Sequence, residues 1–238
     1  MSMELKDGKF NYTWDNDCIF KETCIKRKKG NCNETCNIRP EFEYLISSSN
    51  IPEKFQKPVV LNAEEEDLTA FQTLAQIKED VLNFVKDGRV LYLWSHNIGN
   101  SKSSWSCKIL NTYLALISNG NCFKDRAWFE YVPTFLLLSK EFKSEDRNIH
   151  IQNCMDRELI VIDDIGAVNN SNYDISVLSS IIDNRYSKNL ATIYTSNLSP
   201  NELERNIGVR LADRVCSDIV IQLKGGGRRK STSKYSKK

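Results

Sequence analysis

The stretch from Val90 to Ser104 constrains the fold more than any other part of the chain. An apolar run, Val90–Trp94, enters a short polar loop that ends in Lys102 and Ser103, and a stretch with helical spacing follows. This order is typical of a phosphate-binding loop, in which a buried strand delivers backbone N–H groups and a helix N-terminus to a polyphosphate. Lys102 would reach the terminal phosphates, and the Ser103 hydroxyl would hold Mg²⁺. The alternative is an ordinary strand–loop–helix unit with a polar turn.

The loop departs from the full phosphate-binding pattern at two positions. His96 and Ser101 stand where the pattern has glycines, and Gly99 is the glycine that remains. A Cβ at either position can force the loop away from a positive φ or crowd the phosphates. We therefore expect weak binding or slow hydrolysis.

A second apolar run, Leu159–Ile162, ends in two adjacent carboxylates, Asp163 and Asp164. In open α/β sheets, ligands bind at the carboxyl ends of the parallel strands. Asp163 can hold the Mg²⁺ of a nucleotide through water, and Asp164 can orient or deprotonate the attacking water. A strand that stops at a polar turn is the alternative. Two such strand ends, separated by a strand–helix unit, favour nucleotide binding.

Two later segments are candidates for assisting hydrolysis. The predicted strand Leu190–Thr195 runs into Ser196 and Asn197, where a polar group can sense the γ-phosphate or position the water; a simple strand-to-helix turn fits equally. An arginine on a short helix within Gly208–Arg214 can reach the γ-phosphate of a neighbouring subunit, although a surface position is the common fate of a single arginine.

The pattern elsewhere makes further local predictions. Asn62 with Glu65 resembles a capping box at the start of a helix, and the acidic run Glu64–Asp67 suits the dipole of that helix. Ser47–Pro52 is typical of a linker, and Ser144–Asn148 of a polar loop.

Four of the eight cysteines fall within one short polar segment: Cys18, Cys24, Cys32 and Cys36. The segment has too few apolar residues for a core of its own, so a tetrahedral Cys₄ zinc site is expected to hold it together. The spacing contains no C-x-x-C pair. An iron–sulfur cluster uses the same ligands, and four unligated thiols are the other alternative.

Composition limits the partners and the compartment. The net charge is only +2, with an acidic run at Glu64–Asp67 and basic runs at Lys26–Lys29 and Lys224–Lys238. No global field therefore dictates a nucleic-acid or membrane partner. No apolar run approaches a membrane span and no signal peptide is evident, so we expect a cytoplasmic protein without a membrane partner, whose cysteines are thiols or metal ligands. The basic tail is predicted to be disordered.

Four motifs together resemble one protein family. They are Gly99–Ser103 (GNSKS), Leu159–Gly166 (LIVIDDIG), Tyr194–Pro200 (YTSNLSP) and Gly208–Arg214 (GVRLADR). In content and order they look like the DnaC/DnaI-type helicase loaders, AAA+ ATPases related to the IstB transposition proteins. The versions found in phages and prophages of Gram-positive bacteria are the most similar. The resemblance covers about Val59 to Arg229.

The resemblance implies a role for each candidate residue. The ATP-binding Walker A segment would consist of Gly99, Asn100, Ser101, Lys102 and Ser103. Asp163 and Asp164 match Walker B, and Asn197 matches sensor 1. Arg210 looks like the arginine finger that acts on a neighbouring subunit, with Arg214 as the second candidate. The cofactors would be ATP and Mg²⁺.

The predicted fold is α/β, a P-loop AAA+ core whose parallel sheet is flanked by helices, plus a small Cys-rich N-terminal module that binds metal and contacts the helicase. The predicted division is residues 1–57 for the module and linker, 58–223 for the core and 224–238 for the tail. The predicted function is ATP-dependent loading of the replicative ring helicase onto single-stranded DNA by a homo-oligomer with ATP at its subunit interfaces. A non-hydrolysing adaptor or inhibitor of a replication factor, and an IstB-like transposition ATPase, are the alternatives.

Overall fold

The computed structural model describes residues 5–6, 9–10, 36–57, 60–141, 145–167 and 172–226. The strands within these ranges are β1 (Leu5–Lys6), β2 (Lys9–Phe10), β3 (Val90–Trp94), β4 (Ala127–Tyr131), β5 (Leu159–Asp163), β6 (Ala191–Ser196) and β7 (Ile219–Gln222). The helices are α1 (Ile38–Ser48), α2 (Glu53–Gln56), α3 (Leu68–Glu79), α4 (Val81–Lys86), α5 (Lys102–Ile117), α6 (Val132–Glu141), α7 (Glu145–Asp156), α8 (Asn172–Ser187), α9 (Pro200–Ile207) and α10 (Val209–Val215), with a 3₁₀ turn at Glu65–Asp67.

Five strands form one parallel sheet in the order β4-β5-β6-β3-β7, and the short strands β1 and β2 form a separate antiparallel pair. All residues of β5 and β6 are buried, which agrees with the near-continuous apolar runs of strands covered on both faces. In the register, Trp94 of β3 lies opposite Ser196 of β6, and Ile162 of β5 lies opposite Tyr194. The carboxyl ends of β3, β5 and β6 therefore lie side by side at one end of the parallel strands, which we call the carboxyl edge.

Alternating side chains divide the core into two layers. Leu91 and Leu93 of β3 point into the layer that contains α5, whereas Tyr92 points into the layer that contains α8 and α9. Helix α9 begins with a capping box at Ser199 and Glu202, and Pro200 occupies its first position. No helix among the described residues combines the length and the apolar character needed to cross a bilayer.

Residues 38–56 pack onto the sheet domain. Ile51 is buried in the core, and the Asn111 side chain of α5 donates to the Phe55 carbonyl at 2.7 Å. The backbone N–H of Phe129 in β4 donates to the Ser49 carbonyl at 2.8 Å, and the Asn50 amide donates to the Phe129 carbonyl at 2.9 Å. The linker prediction for Ser47–Pro52 is therefore wrong, because Ser47 and Ser48 belong to α1, and Ser49 and Ile51 are buried against the core. The domain division stays a prediction.

Two other local predictions are also wrong. The helix predicted at Asn62 begins instead at Leu68, after the 3₁₀ turn, so Asn62 does not cap it. The predicted polar loop at Ser144–Asn148 is the first turn of α7 from Glu145 onward. In both cases the local composition predicts a helix boundary at a different residue from the one at which the helix begins in the structure.

Candidate active site at the carboxyl edge of the sheet

The carboxyl edge brings together the side chains that the sequence placed at three strand ends. Lys102 follows β3, Asp163 ends β5, and Asn197 follows β6. Strand β3 lies between β6 and β7, but its helix α5 leads to β4 at the far side of the sheet. Such a reversal of strand order leaves a crevice at the carboxyl ends, where ligands bind in open α/β sheets.

The loop between β3 and α5 has the backbone conformation of a tight phosphate-binding turn. Gly99 has φ +83°, and Ser101 has φ +79° with ψ 15°. Ser101 thus adopts the left-handed conformation despite its Cβ, and the expectation that serine could force the loop away from a positive φ is wrong for this position. Helix α5 begins immediately afterwards, so its first N–H groups and the positive end of its dipole face the crevice.

The Lys102 ammonium is buried and surrounded by oxygen atoms. Its Nζ lies 3.3 Å from the Ser95 carbonyl, 3.4 Å from the Asn97 carbonyl and 3.3 Å from Asn100 Oδ1. A fourth oxygen, Asn197 Oδ1, lies at 3.0 Å. The lysine is therefore held across the mouth of the loop, where phosphate oxygens can replace these neutral acceptors.

Ser103 and Asp163 form the part of the site that fits a divalent cation. Ser103 Oγ donates to Asp163 Oδ1 at 2.8 Å and lies 3.0 Å from Oδ2. Hydroxyl and carboxylate oxygens at the end of a phosphate-binding loop are the donor set that Mg²⁺ prefers beside a nucleotide. The residues present thus fit Mg²⁺ bound together with a polyphosphate.

Asn197 connects the lysine to the second carboxylate. Its Oδ1 accepts from Lys102, and its Nδ2 donates to Asp164 Oδ1 at 3.1 Å. The side chain of Asn197 therefore contacts both predicted halves of the site.

Burial raises the pKa values of both carboxylates, and at Asp164 the neighbouring Asp163 charge adds to the increase. Burial raises the pKa of Asp163, and hydrogen bonds from Thr195 and Ser103, together with the Lys102 charge, oppose the increase. Burial and the neighbouring Asp163 charge raise the pKa of Asp164, again opposed by Lys102. A divalent cation at this edge would relieve that repulsion.

His96, at the other position where the pattern has a glycine, contacts the start of α9. Its Nδ1 lies 3.2 Å from the Asn197 carbonyl, and its Nε2 lies 3.6 Å from a Glu202 carboxylate oxygen. The ring also packs edge-on against Trp94. His96 thus joins the loop to the segment that carries Asn197.

The loop asparagines bind the segment after β7, which the sequence did not predict. Asn97 Nδ2 donates to the Lys224 carbonyl at 2.6 Å and to the Gly225 carbonyl at 3.1 Å. Asn100, which is buried, donates to the Leu223 carbonyl at 3.3 Å. The loop between β3 and α5 is therefore supported by the segment that follows β7.

The same segment is held from its other side by the acidic run before α3. Asp67 is fully buried and accepts from the backbone N–H groups of Lys224 at 2.7 Å and Gly225 at 3.2 Å. Glu64 accepts from the Gly226 N–H at 2.9 Å. The helix-dipole interpretation therefore misses the main role of these two carboxylates, which is to satisfy backbone donors distant in sequence.

The structure does not bring Arg210 into contact with the carboxyl-edge residues in the part of the chain that it describes. Arg210 and Arg214 on α10 both form ion pairs with Asp183 on α8. The Arg210 side chain is 69% exposed, and the Arg214 guanidinium also lies 5.0 Å from the centre of the Tyr186 ring. Arg210 is therefore available at the surface.

The predicted cysteine cluster lies almost entirely outside the described residues. Cys18, Cys24 and Cys32 fall there, and Cys36 is half-buried just before α1. Within the described ranges, no group of three or more His, Cys, Asp or Glu side chains is arranged to hold a metal ion. The metal module stays a prediction.

Solved structures of replication proteins share this architecture. The DnaI structure superposes with a TM-score of 0.58 at 20% identity, over 74% of this chain and 95% of that chain. A protein proposed to be a primosome component of Streptococcus pyogenes serotype M3 gives a TM-score of 0.57 at 23% identity, over 79% of this chain and 99% of that chain. The DnaC helicase loader gives 0.54 at 16% identity, over 73% and 100%.

The chain has the fold of these replication proteins. The predicted α/β fold with a parallel sheet flanked by helices is confirmed, and the sheet has five strands. No protein-family model matches the sequence, and no curated protein matches it.

Proposed function

We propose that the protein is an ATP-dependent loader of a replicative DNA helicase. The observation that carries the proposal is the convergence of Lys102, Ser103, Asp163 and Asn197 on one crevice, in a fold shared with DnaI and the DnaC helicase loader. The similarity to AAA+ ATPase-type replication proteins supports ATPase activity in general terms. A loader acts where DNA is replicated, so its proposed location is the cytoplasm.

In this proposal the loop and α5 bind the triphosphate. Lys102 exchanges its four oxygen acceptors for phosphate oxygens, and Gly99, Asn100 and Ser101 shape the turn that presents the helix N–H groups. Ser103 and Asp163 would hold Mg²⁺, which when bound neutralises charge on the phosphates. DnaA from Aquifex aeolicus was solved with AMPPCP bound, with a TM-score of 0.55 at 15% identity over 74% of this chain and 51% of that chain, which supports a nucleotide at this fold.

Asp164 and Asn197 would act on the attacking water. Asp164 lies at the crevice with a raised pKa, and Asn197 fixes its carboxylate through the 3.1 Å hydrogen bond. A carboxylate held this way can orient the water and accept its proton.

Arg210 is the proposed arginine finger. Its exposed position on α10 suits a group that leaves Asp183 and reaches ATP bound to a neighbouring copy of the chain. This role requires a homo-oligomer with ATP at the subunit interfaces.

The proposed partners are the ring helicase and single-stranded DNA. A DnaA structure with AMPPCP and single-stranded DNA has a TM-score of 0.57 at 15% identity, over 74% of this chain and 51% of that chain, which supports DNA binding by this fold. We assign helicase contact to the N-terminal module, with Cys18, Cys24, Cys32 and Cys36 binding zinc. Metal analysis and an absorption spectrum would distinguish zinc from an iron–sulfur cluster.

A pull-down with the host's replicative helicase, with and without ATP, tests the function. We expect ATP to change the amount of helicase retained, and Lys102→Ala to abolish both ATP binding and this dependence, because it removes the ammonium that binds the phosphates. Lys86→Ala, an exposed lysine on α4, is the matched control.

If the protein retains no helicase either with or without ATP, the loader proposal is contradicted. A non-hydrolysing adaptor is the competing function, because His96 and Ser101 depart from the usual loop. If wild type retains helicase but releases no phosphate from radiolabelled ATP above the Lys102→Ala background, the adaptor is the better description.

A further inference from the structure

Thr195 is buried between the Asp163 carboxylate and the backbone of Asp164. Its Oγ1 donates to Asp163 Oδ1 at 2.6 Å and accepts from the Asp164 N–H at 3.0 Å. Its backbone carbonyl accepts from the Ile165 N–H at 2.9 Å. One residue of β6 thus satisfies two consecutive backbone N–H groups of the segment after β5 and one carboxylate oxygen.

These contacts extend the hydrogen bonding between the β5 and β6 segments by a few residues beyond the end of their strand pairing. The parallel register of β5 and β6 ends at Ile162 and Tyr194, and the β5 chain then turns at Asp164, whose φ is +63°. A non-glycine residue in that conformation needs support from its surroundings. Thr195 supplies it with both its side chain and its main chain.

The direction of the hydrogen bonds follows from their partners. The Asp164 N–H can only donate, so it uses a lone pair of the Thr195 hydroxyl, and the single hydroxyl proton must point to Asp163. Thr195 therefore acts as a fixed donor to that carboxylate.

We propose that Thr195 is a positioning residue for magnesium binding, which orients the Asp163 carboxylate toward Ser103. The inference rests on the proposed function, because it concerns the same site. Ser103 also donates to Asp163, but a hydroxyl that binds a cation must turn its lone pair to the cation and its proton away. Thr195 is then a second side-chain donor, which keeps Asp163 in place when the Ser103 hydroxyl reorients to the cation.

The test measures how nucleotide binding depends on Mg²⁺, using a fluorescent ATP analogue and the full chain. Thr195→Val keeps the shape and removes the donor, so the Mg²⁺ concentration for half-maximal binding should rise by about tenfold, the lower end of the usual effect of removing a group that orients a metal ligand. Binding in EDTA should not change. Thr195→Ser keeps the hydroxyl and should restore the wild-type Mg²⁺ dependence.

Thr192→Val is the matched control, because Thr192 is also buried on β6 and its hydroxyl contacts Arg185 and the Leu190 carbonyl at the opposite end of the strand. It should lower stability without changing the Mg²⁺ dependence. An equal shift in both variants would mean that Thr195 matters only for packing, and wild-type behaviour of Thr195→Val would overturn the inference. If Thr195→Val does not fold, Thr195→Cys, with a weaker donor, should show a smaller rise in the same direction.

The two proposals fail in different ways. If wild type binds no nucleotide, the proposed function fails and the role of Thr195 fails with it. If wild type binds nucleotide with Mg²⁺ and Thr195→Val needs no more Mg²⁺ than wild type, only the inference about Thr195 is overturned.

Discussion

The carboxyl edge of the sheet and the arginines of α10 hold their charged groups in opposite ways. At the edge, Lys102 is only 9% exposed and is joined through Asn197 to Asp164, all within one chain. On α10, the Arg210 side chain is 69% exposed and is paired with Asp183 at the surface. Exposed ion pairs contribute about 1 kcal/mol or less, so Arg210 can leave its partner at little cost. Under the proposed function, the groups that bind the nucleotide would all lie within one chain, whereas Arg210 would act on ATP bound to a neighbouring copy.

The largest expected effect comes from separating these two regions. Arg210→Ala should leave ATP binding unchanged and lower the hydrolysis rate by about 10³-fold, because an arginine finger stabilises charge only in the transition state. Single-turnover hydrolysis and equilibrium binding measure the two effects. Arg205→Ala, on α9, is the control. Hydrolysis by Arg210→Ala at the wild-type rate would contradict the assignment of Arg210 as an arginine finger.

A second prediction concerns the support of the loop by the segment after β7. A Cβ on Gly225 would lie 2.6 Å from Asp67 Oδ2 and 2.7 Å from Glu64 Oε2, whereas nothing lies within 4 Å of one on Gly226. Gly225→Ala should therefore lower the free energy of unfolding by about 1–3 kcal/mol. It should also weaken nucleotide binding, since Asn97 holds the same segment. Gly226→Ala is the matched control. Equal stability of the two variants in urea unfolding would show that the contacting side chains move aside at no cost in free energy.

The pH dependence of stability sharpens the contrast between the buried edge and a surface ion pair. Burial raises the pKa of Asp163, so the folded protein binds that proton more tightly than the unfolded chain, whose aspartate pKa is about 3.9. The free energy of unfolding of wild type relative to Asp163→Asn should therefore fall as pH rises from about 4 through the raised pKa. The total fall is about 1.4 kcal/mol for each unit by which the folded-state pKa exceeds the unfolded-state pKa.

Asp218 supplies the control of opposite sign. The hydrogen bond from Arg89 lowers the pKa of Asp218, so its contribution to stability is lost as pH falls through the lowered pKa. Urea unfolding of both asparagine variants across the acidic range measures the two slopes. A flat difference for Asp163→Asn would mean that burial does not disfavour its charge.

The smallest effect is expected within the loop itself. Ser101→Gly removes a Cβ at φ +79°, which should stabilise the fold by less than about 1 kcal/mol after the greater freedom of glycine in the unfolded chain is deducted. Ser104→Gly, inside α5, should instead destabilise by about 0.5–1 kcal/mol. Thermal unfolding of the pair gives opposite signs if Ser101 is strained. The same sign for both would show that it is not.

The sequence was sufficient to predict the parts of the site that depend on local pattern. Apolar runs that end at Trp94, Asp163 and Ser196 predict strand ends, and neighbouring parallel strands bring their carboxyl ends, with Lys102, Asp163 and Asn197, to the same side of the sheet. The short helix carrying Arg210 and the capped start of α9 are equally local features. The role of each residue in catalysis stays a prediction.

Contacts between distant segments could not be predicted in this way. Asp67 satisfies backbone N–H groups more than 150 residues away, yet its acidic neighbours fit a helix start equally well. Ser49 and Asn50 have the composition of a linker, but their backbone and side-chain groups pair with Phe129. In the sequence, Thr195 is one residue of an apolar run; its role depends on the turn at Asp164, which brings its hydroxyl against the Asp163 carboxylate and the Asp164 N–H.

The pairing of Ser49 and Asn50 with Phe129 has a consequence for assembly. A β-sheet extends into a neighbouring molecule by adding a strand along an edge whose N–H and C=O groups have no partner. At Phe129 both groups are already taken by the chain's own N-terminal segment. Copies that associate on this side of the molecule must therefore recognise each other through side chains, because a shared intermolecular ladder cannot form there without first displacing that segment.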